Sequence, residues 1–208
     1  MTFKSLRKFL PAALITVSFF LAGCNDAPDT GGAEKAGKSA TASVSMSAMA
    51  EQATGFTTGS KMSARTVYVF FDAQCPHCGA LWNAAKPLKS QAKFVWIPVG
   101  IINASSTAQG ATLLAATDPV AAMDEHETSL LAKQGGISAA ANLDAQTASV
   151  GKNTELMTRF GFASIPTIIG THAQTGALVT QEGAMPTAAL ARLLGLQVPA
   201  GQPASLAN

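Results

Sequence analysis

The sequence predicts an α/β domain in which helices flank a central mixed sheet, and three consecutive stretches carry this prediction. Residues 66–71 (TVYVFF) are β-branched or aromatic throughout, which is typical of a strand buried on both faces. Residues 79–90 place apolar side chains at helical spacing, and residues 94–102 (FVWIPVGII) form a second apolar run. A strand, a helix and a strand in such close succession form a βαβ unit. We therefore expect parallel pairing, with 66–71 as the central strand.

Three prolines refine this unit. Pro76 suits the first turn of the helix, where its missing N–H is not needed and its fixed φ favours helix entry. Pro87 should kink the same helix near its end. Pro98 limits the second strand to a bulge or a sheet edge at that point, because proline cannot donate to a strand ladder.

The rest of the chain predicts helices first and a strand pair afterwards. No strand signal occurs between residues 105 and 160, and the sequence there favours helices over 110–116, 119–133 and 153–160. Asp118 and Pro119 suit the N-cap and the first position of the middle helix. Two short strands follow at residues 167–170 and 178–181, joined by a turn. A last helix is predicted at residues 187–194, with Thr187 as a candidate cap.

The N-terminus has the layout of a secretory signal. Three cations precede an apolar stretch, 9–22, that is short for a membrane-spanning helix of about 20 residues. The stretch ends in Leu21-Ala22-Gly23-Cys24, which resembles the lipobox of bacterial lipoproteins and implies cleavage before an acylated, membrane-anchoring Cys24. The alternative is an ordinary secreted protein that is cleaved nearby and keeps a spare thiol.

The length and composition suit one folded domain with appendages. In 208 residues, 48% are hydrophobic and 12% are charged. Removing residues 1–23 takes three cations with it and changes the formal net charge from +2 to about −1, so nucleic-acid binding is not expected. The expected organisation begins with a signal peptide at residues 1–23 and a lipidated flexible tether at residues 24–63. The folded domain follows at residues 64–196, with a helical insertion at about 105–160, and a disordered tail ends the chain at residues 197–208.

The Cys75-Pro76-His77-Cys78 motif is the most informative chemistry in the sequence. At a helix start, the free backbone N–H groups and the helix dipole stabilise a Cys75 thiolate, and a charged His77 adds to this. A low-pKa thiol is a good leaving group, so Cys75 can hand on a disulfide while Cys78, deeper in the helix, resolves the mixed disulfide. A structural disulfide and half of a zinc site are the alternatives, although no second cysteine or cysteine-histidine pair completes a metal site.

The motif and its surroundings resemble the thioredoxin superfamily, and within it the DsbG and DsbC branch of the periplasmic disulfide-bond proteins. The likeness rests on the strand ending FFDAQ, on CPHC, and on Ser164-Ile165-Pro166-Thr167 after a helical insertion. It implies a thioredoxin fold without a cofactor. It also implies that Pro166 is a cis-proline whose loop lies against Cys75, and that the backbone of Ile165 pairs with an extended substrate.

Several features depart from that branch. Residues 25–63 are too short and polar for the usual N-terminal dimerisation domain, so we expect a monomer. The Pro76-His77 pair matches the strongly oxidising DsbA type, and Ile165 stands where isomerases tend to have threonine. No acid lies within 67–71 to act as the buried proton acceptor of thioredoxin; Asp72 is the nearest candidate, although a solvated cap is the expected role.

The sequence therefore predicts a periplasmic thiol:disulfide oxidoreductase. Its expected partners are exported proteins with cysteines and a membrane redox partner that the sequence does not identify. The alternatives are a reductase or isomerase of oxidised cysteines and a chaperone-type binding module with a structural disulfide. Among the other candidates, His126 is expected on a solvated helical face, and Trp82 and Trp96 are expected in the core.

Overall fold

The computed structural model describes residues 42–201, which all fall in the compact unit Ser39–Asn208. The predicted signal peptide, the lipidation site Cys24, the first part of the tether and the last residues of the tail lie outside the described residues. None of the helices within 42–201 is long and apolar enough to cross a membrane.

Within residues 42–201, five strands form one mixed sheet. They are β1 (Phe56–Gly59), β2 (Thr66–Asp72), β3 (Lys93–Val99), β4 (Thr167–Thr171) and β5 (Leu178–Glu182). Their order across the sheet is β1-β3-β2-β4-β5, with β2 and β3 parallel and every other neighbouring pair antiparallel. The predictions of a central β2 and of a parallel βαβ unit are confirmed.

Six α-helices and one 3₁₀ turn complete the described part of the chain. The helices are α1 (Met46–Gln52), α2 (Pro76–Ala85), α3 (Ala104–Ala115), α4 (Pro119–Leu131), α5 (Asp144–Arg159) and α6 (Thr187–Leu194), and the 3₁₀ turn is Lys86–Leu88. Pro76 occupies the first turn of α2, and Pro87 lies in the 3₁₀ turn that ends this helical segment, as expected from proline geometry. Asp118 caps α4 by accepting the N–H groups of Val120 and Ala121.

The sheet separates two hydrophobic clusters, because alternate side chains of a strand point to opposite faces. Val67, Val69 and Phe71 of β2 join the cluster that contains Trp82 and Trp96. The two indole rings pack edge to face with centroids 4.9 Å apart, so their predicted core position is confirmed. The other face of β2 contributes to a cluster with α1 and α5, whose members include Tyr68, Phe70, Met49 and Leu156.

The expected tether over 24–63 is wrong in its C-terminal part, because the fold begins before residue 64. Met49 of α1 is completely buried in the second cluster. Phe56 of β1 is also buried, and β1 pairs with β3 from Phe56 opposite Trp96 to Gly59 opposite Lys93. A segment too polar to form its own core can still add two apolar side chains to an existing one, and its backbone covers the edge of β3.

Two helix starts and one helix cap also differ from the sequence prediction. Helix α3 starts earlier, because Asn103 forms a capping box with Ser106. Helix α5 starts at Asp144, and its N-terminal part lacks the apolar periodicity on which the prediction relied. Thr187 is not the cap of α6; its hydroxyl donates to the Ala84 carbonyl oxygen at 2.9 Å and attaches α6 to α2.

Pro98 lies at an edge position, as predicted. It is opposite Phe71 in the parallel pairing with β2, but the pairing of β3 with β1 ends at Trp96. The side of β3 beyond Trp96 therefore needs no N–H donor at residue 98. The free carbonyl oxygen of Pro98 instead accepts the amide of Asn153 from α5 at 3.0 Å.

Candidate active site

The cysteine motif lies where the central strand passes into helix α2. Cys75 is the N-cap residue of α2 with extended backbone, and Pro76 follows in the first turn. This placement aims the unpaired N–H groups of the first turn at the Cys75 sulfur. Both cysteines are free thiols and both are buried, whereas Pro76 and His77 between them are exposed.

The Cys75 sulfur is arranged to carry negative charge. Its Sγ accepts the N–H of Cys78 at 3.3 Å. The pKa of Cys75 is lowered to about 7, chiefly by the side-chain hydrogen bond from Cys78 and further by the backbone N–H groups of Cys78 and His77 and the charge of His77, although burial opposes the shift. At neutral pH a large fraction of Cys75 is therefore thiolate.

Cys78 has the opposite character. It is fully buried, and burial followed by its hydrogen bond to Cys75 raises its pKa far above that of a free thiol. The pair thus holds one proton on Cys78 and one negative charge on Cys75. This is the asymmetry that an attacking thiolate and a resolving thiol require.

Asp72 is a buried structural acceptor and not a solvated cap. Its carboxylate accepts the N–H groups of Gln74 at 2.8 Å, Ile101 at 2.8 Å and Ile102 at 3.1 Å. The prediction was wrong because the loop after β3 folds back over the end of β2 and encloses the carboxylate. Asp72 therefore joins the loop before Cys75 to the loop after β3.

His126 does not lie on a solvated face of α4. Its ring is completely buried, with Nε2 at 2.5 Å from the Ala73 carbonyl oxygen and Nδ1 accepting the N–H of Ile137 at 3.1 Å. Burial lowers the pKa of His126, so the imidazole is neutral and carries its proton on Nε2. The acidic residues around it in sequence suggested solvent exposure, but the face of α4 shared with Met123 turns inward.

Glu127 is a buried carboxyl group near the cysteines that the sequence reasoning missed. Its side chain lies against Gly79, the residue after Cys78, and only 5% of the residue is exposed. Burial, followed by the negative charge of Cys75, raises its pKa to about 7, and Lys86 opposes this shift. The spacing of Met123, His126 and Glu127, at positions i, i+3 and i+4, is the sequence signal that could have revealed this inward face.

The Pro166 loop lies beside the start of helix α2. The Ile165–Pro166 peptide bond is cis, as the resemblance implied. His77, Ser164, Ile165 and Glu182 line one cavity of about 370 Å³, which brings the cysteine motif and the proline loop to a common surface. The Glu182 carboxylate accepts the Ser164 N–H at 2.6 Å.

The predicted site residues thus gather in one place, with one exception. Cys75, Pro76, His77 and Cys78 open α2, and Ile165, the residue before Pro166, lines the same cavity as His77. Cys24 falls outside the described residues. Within the described range, no group of three or more His, Cys, Asp or Glu side chains is arranged to hold a metal ion.

The fold of the described residues is thioredoxin-like. A periplasmic thioredoxin-like protein from Salmonella enterica serovar Typhimurium superposes with a TM-score of 0.53 at 18% identity, covering 68% of this chain and 88% of that one. ScsC of Proteus mirabilis in a compact conformation gives a TM-score of 0.55 at 16% identity, over 76% of this chain and 81% of that one. The predicted thioredoxin fold with helices flanking a mixed sheet is confirmed.

The sequence relation is to the DsbG proteins. The thiol:disulfide interchange protein DsbG of Pseudomonas aeruginosa is 36% identical over 151 residues, which cover 70% of this chain and 57% of that relative. The chain thus spans little more than half the length of this curated relative. No protein-family model matches the chain. The predicted resemblance to DsbG proteins is confirmed by this relation.

Proposed function

We propose that the protein is a thiol:disulfide oxidoreductase that exchanges disulfides with exported proteins through Cys75 and Cys78. The observation that carries the proposal is the division of charge in the motif, in which the N–H groups at the start of α2 stabilise a Cys75 thiolate while Cys78 keeps its proton. The sequence relation to a DsbG thiol:disulfide interchange protein supports the same chemistry.

The exchange proceeds in two balanced steps. When the pair is oxidised, a substrate thiolate attacks Cys75, the Cys75–Cys78 disulfide breaks, and Cys78 leaves and takes up a proton. A second substrate thiolate then attacks the mixed disulfide and releases Cys75 as a thiolate, so that the substrate gains a disulfide and the pair is reduced. In the reverse direction, the Cys75 thiolate attacks a substrate disulfide and Cys78 resolves the intermediate.

The Pro166 loop is the proposed site for the substrate backbone. Among the described residues, no backbone hydrogen bond involves Ile165, although the next residue along, Pro166, accepts the Gly183 N–H at 2.7 Å. A free N–H and C=O beside the cavity shared with His77 suit pairing with an extended segment around a substrate cysteine. This role of Ile165 and Pro166 follows the one that the family resemblance implies.

A reductase or isomerase of oxidised cysteines is the second candidate, and the pKa of Cys75 favours it. Strongly oxidising members of the superfamily hold their attacking thiol near pKa 3.5, whereas a value of about 7 is typical of thioredoxin. Stabilising the Cys75 thiolate favours the reduced pair and so makes its disulfide more oxidising. At a pKa of about 7 this effect is smaller than in the strongly oxidising members, so the Pro76-His77 pair does not by itself establish an oxidase.

The proposed location is the periplasm. The structural relative from Salmonella enterica is described as periplasmic, and the N-terminal segment has the layout of a secretory signal. Acylation of Cys24 would hold the protein on a membrane, where an integral membrane protein could recharge the pair. Labelling with a radioactive fatty acid during secretion from a bacterial host tests the lipid anchor. The full chain should incorporate the label, and the Cys24→Ala variant, as the control, should not.

Equilibration with reduced and oxidised glutathione tests the activity and its direction. The full chain carrying Cys24→Ser, kept in mild detergent, is quenched with an alkylating reagent, and the thiol state of Cys75 and Cys78 is measured by mass. A potential above that of the glutathione couple indicates an oxidant or isomerase, and one well below it indicates a reductase. A pair that does not exchange contradicts the proposal, and client binding that survives in Cys75→Ser would assign the fold to a chaperone.

A further inference from the structure

Helix α4 of the helical insertion positions a carboxyl group beneath the cysteine motif. Glu127 Oε1 has no hydrogen-bond partner among the described residues, although the residue is 95% buried. Its other oxygen, Oε2, faces the Cα of Gly79 so closely that a β-carbon added there would lie 2.7 Å from the Glu127 Cδ. A buried carboxyl without a partner is costly, and such groups in native structures often serve chemistry.

The packing of α4 against α2 fixes this carboxyl in place. At the solvent side of the contact, Asp124 accepts the indole N–H of Trp82 at 2.7 Å and forms an ion pair with Lys86 at 2.6 Å. At the inner side, Met123 joins the same hydrophobic cluster as Cys75 and Cys78. Glu127 is one helical turn beyond Met123 and Asp124, so the rotation of α4 directs it to the start of α2.

Two charged groups act on Glu127 from the elements packed against it. From the α2 side these are Cys75, whose negative charge opposes ionisation of the carboxyl, and Lys86, which favours it but is engaged by Asp124. Cys78 lies between Cys75 and Gly79 in sequence and is buried, and the charge of Asp72 also acts on it and raises its pKa. His126, the neighbour of Glu127 on α4, is directed instead to Ala73 and Ile137.

We propose that Glu127 is the internal acid–base group of the cysteine pair, taking the proton from Cys78 when the mixed disulfide is resolved and returning it when the pair is reduced. This inference rests on the proposed function, because it assigns a residue to the disulfide exchange of Cys75 and Cys78. The glutamate comes from the helical insertion, 49 positions after Cys78 in the sequence.

The charge of Cys75 makes the proton transfer directional. While Cys75 is a thiolate, burial and this negative charge together raise the pKa of Glu127 to about 7. In the mixed disulfide Cys75 is uncharged, so Glu127 ionises more readily and becomes a base. Cys78 then gives its proton to Glu127 and attacks Cys75; the Cys75–Cys78 bond forms, the bond from Cys75 to the substrate sulfur breaks, and the substrate leaves as a thiolate.

The reaction with Ellman's reagent separates the two steps. The experiment uses the full chain with Cys24→Ser in mild detergent, fully reduced. Attack by Cys75 releases one thionitrobenzoate ion and leaves a mixed disulfide, and resolution by Cys78 releases a second ion. In stopped-flow measurements, Glu127→Gln should slow the second release roughly 100-fold and leave the first no slower, as removal of a general base predicts.

The pH dependence distinguishes proton transfer from a structural role. In the unsubstituted protein, the rate of the second release should rise with pH through an inflection at or below about pH 7, because Glu127 must be ionised and Cys75 no longer titrates. Glu127→Gln should abolish this inflection, and Glu127→Asp should restore it in part. Glu125→Gln, an exposed substitution on the same helix, is the matched control and should change neither release.

The possible outcomes separate the two proposals. If the unsubstituted protein gives no second release, the cysteines do not exchange and the proposed function fails. If both releases occur and Glu127→Gln keeps the second within about twofold of the unsubstituted rate, with its inflection intact, the role of Glu127 is refuted. Should Glu127→Gln not fold, the pH profile of the unsubstituted protein decides alone, because a second release without the inflection also refutes the role.

Discussion

The contact between Gly79 and Glu127 predicts that an alanine at position 79 is harmful only while the glutamate is present. Gly79 is within α2, and a β-carbon there would overlap the Glu127 carboxyl group. Alanine is favoured over glycine in a helix by about 1 kcal/mol, whereas overfilling a packed core costs about 1–3 kcal/mol. Gly79→Ala should therefore lower the free energy of unfolding by about 0–2 kcal/mol, since the overlap outweighs the helix propensity.

Removing the glutamate side chain should reverse the sign. In a Glu127→Ala background the space beside Gly79 is free, so Gly79→Ala should raise the free energy of unfolding by about 0.5–1 kcal/mol. The two substitutions should then show a coupling energy of about 1–3 kcal/mol. The assay is urea unfolding of the reduced protein, followed by tryptophan fluorescence, with the midpoint compared at constant slope.

A second helical glycine provides the matched control. Gly151 lies in α5, is exposed, and has nothing within 4 Å of an added β-carbon. Gly151→Ala should stabilise both backgrounds equally, by about 0.5–1 kcal/mol. If Gly79→Ala stabilises the unsubstituted protein as much as the Glu127→Ala protein, the two residues do not share this contact and the reasoning from their packing is refuted.

Three further predictions follow from buried groups. Asp72→Ala should lower the free energy of unfolding by about 2–4 kcal/mol in urea, because three N–H donors lose a charged acceptor, and Asp72→Asn should lower it less. Burial raises the pKa of Glu127 from 4.5 to about 7, so the folded state binds this proton more tightly than the unfolded state does. The protonated carboxyl therefore contributes about 3 kcal/mol to the free energy of unfolding below pH 4.5, and this contribution is lost as the pH rises to about 7. Glu127→Gln should remove this pH dependence from the urea midpoints. A chain starting at residue 64 should have a free energy of unfolding about 3–6 kcal/mol lower than that of a chain starting at residue 42, because it lacks the buried side chains of Met49 and Phe56. Equal stability of the two chains would contradict the assignment of β1 to the fold.

The central part of the fold is predictable because its signals are local. The strand at 66–71 is apolar on both faces, and the Pro76 start of α2 follows from the constraints of one residue. The segment around β1 shows no such signal, because its sequence, FTTG, is short and polar. Its role arises from pairing with Lys93–Trp96, a contact between distant positions that the periodicity of one segment does not reveal.

The candidate site divides in the same way. Cys75 and Cys78 are recognisable because their spacing is a property of consecutive residues, and Pro166 is recognisable because its surrounding motif resembles a known family. His126 and Glu127 belong to an acidic run that looks solvated in sequence. Only the docking of α4 on α2, through Met123 and the contacts of Asp124, turns these two polar side chains inward.

The same docking bears on the direction of the exchange. The side-chain hydrogen bond from Cys78, the backbone N–H groups at the start of α2 and the charge of His77 favour the Cys75 thiolate and lower its pKa to about 7. Burial acts against the thiolate, and the carboxyl that α4 supplies adds negative charge near it whenever Glu127 is ionised. Replacing that carboxyl by the neutral Glu127→Gln should therefore lower the pKa of Cys75 and shift the glutathione equilibrium toward the reduced pair, making the protein a stronger oxidant. If the equilibrium instead stays in place, the identity of the two residues between the cysteines controls the potential, and the insertion acts on the rate of exchange alone.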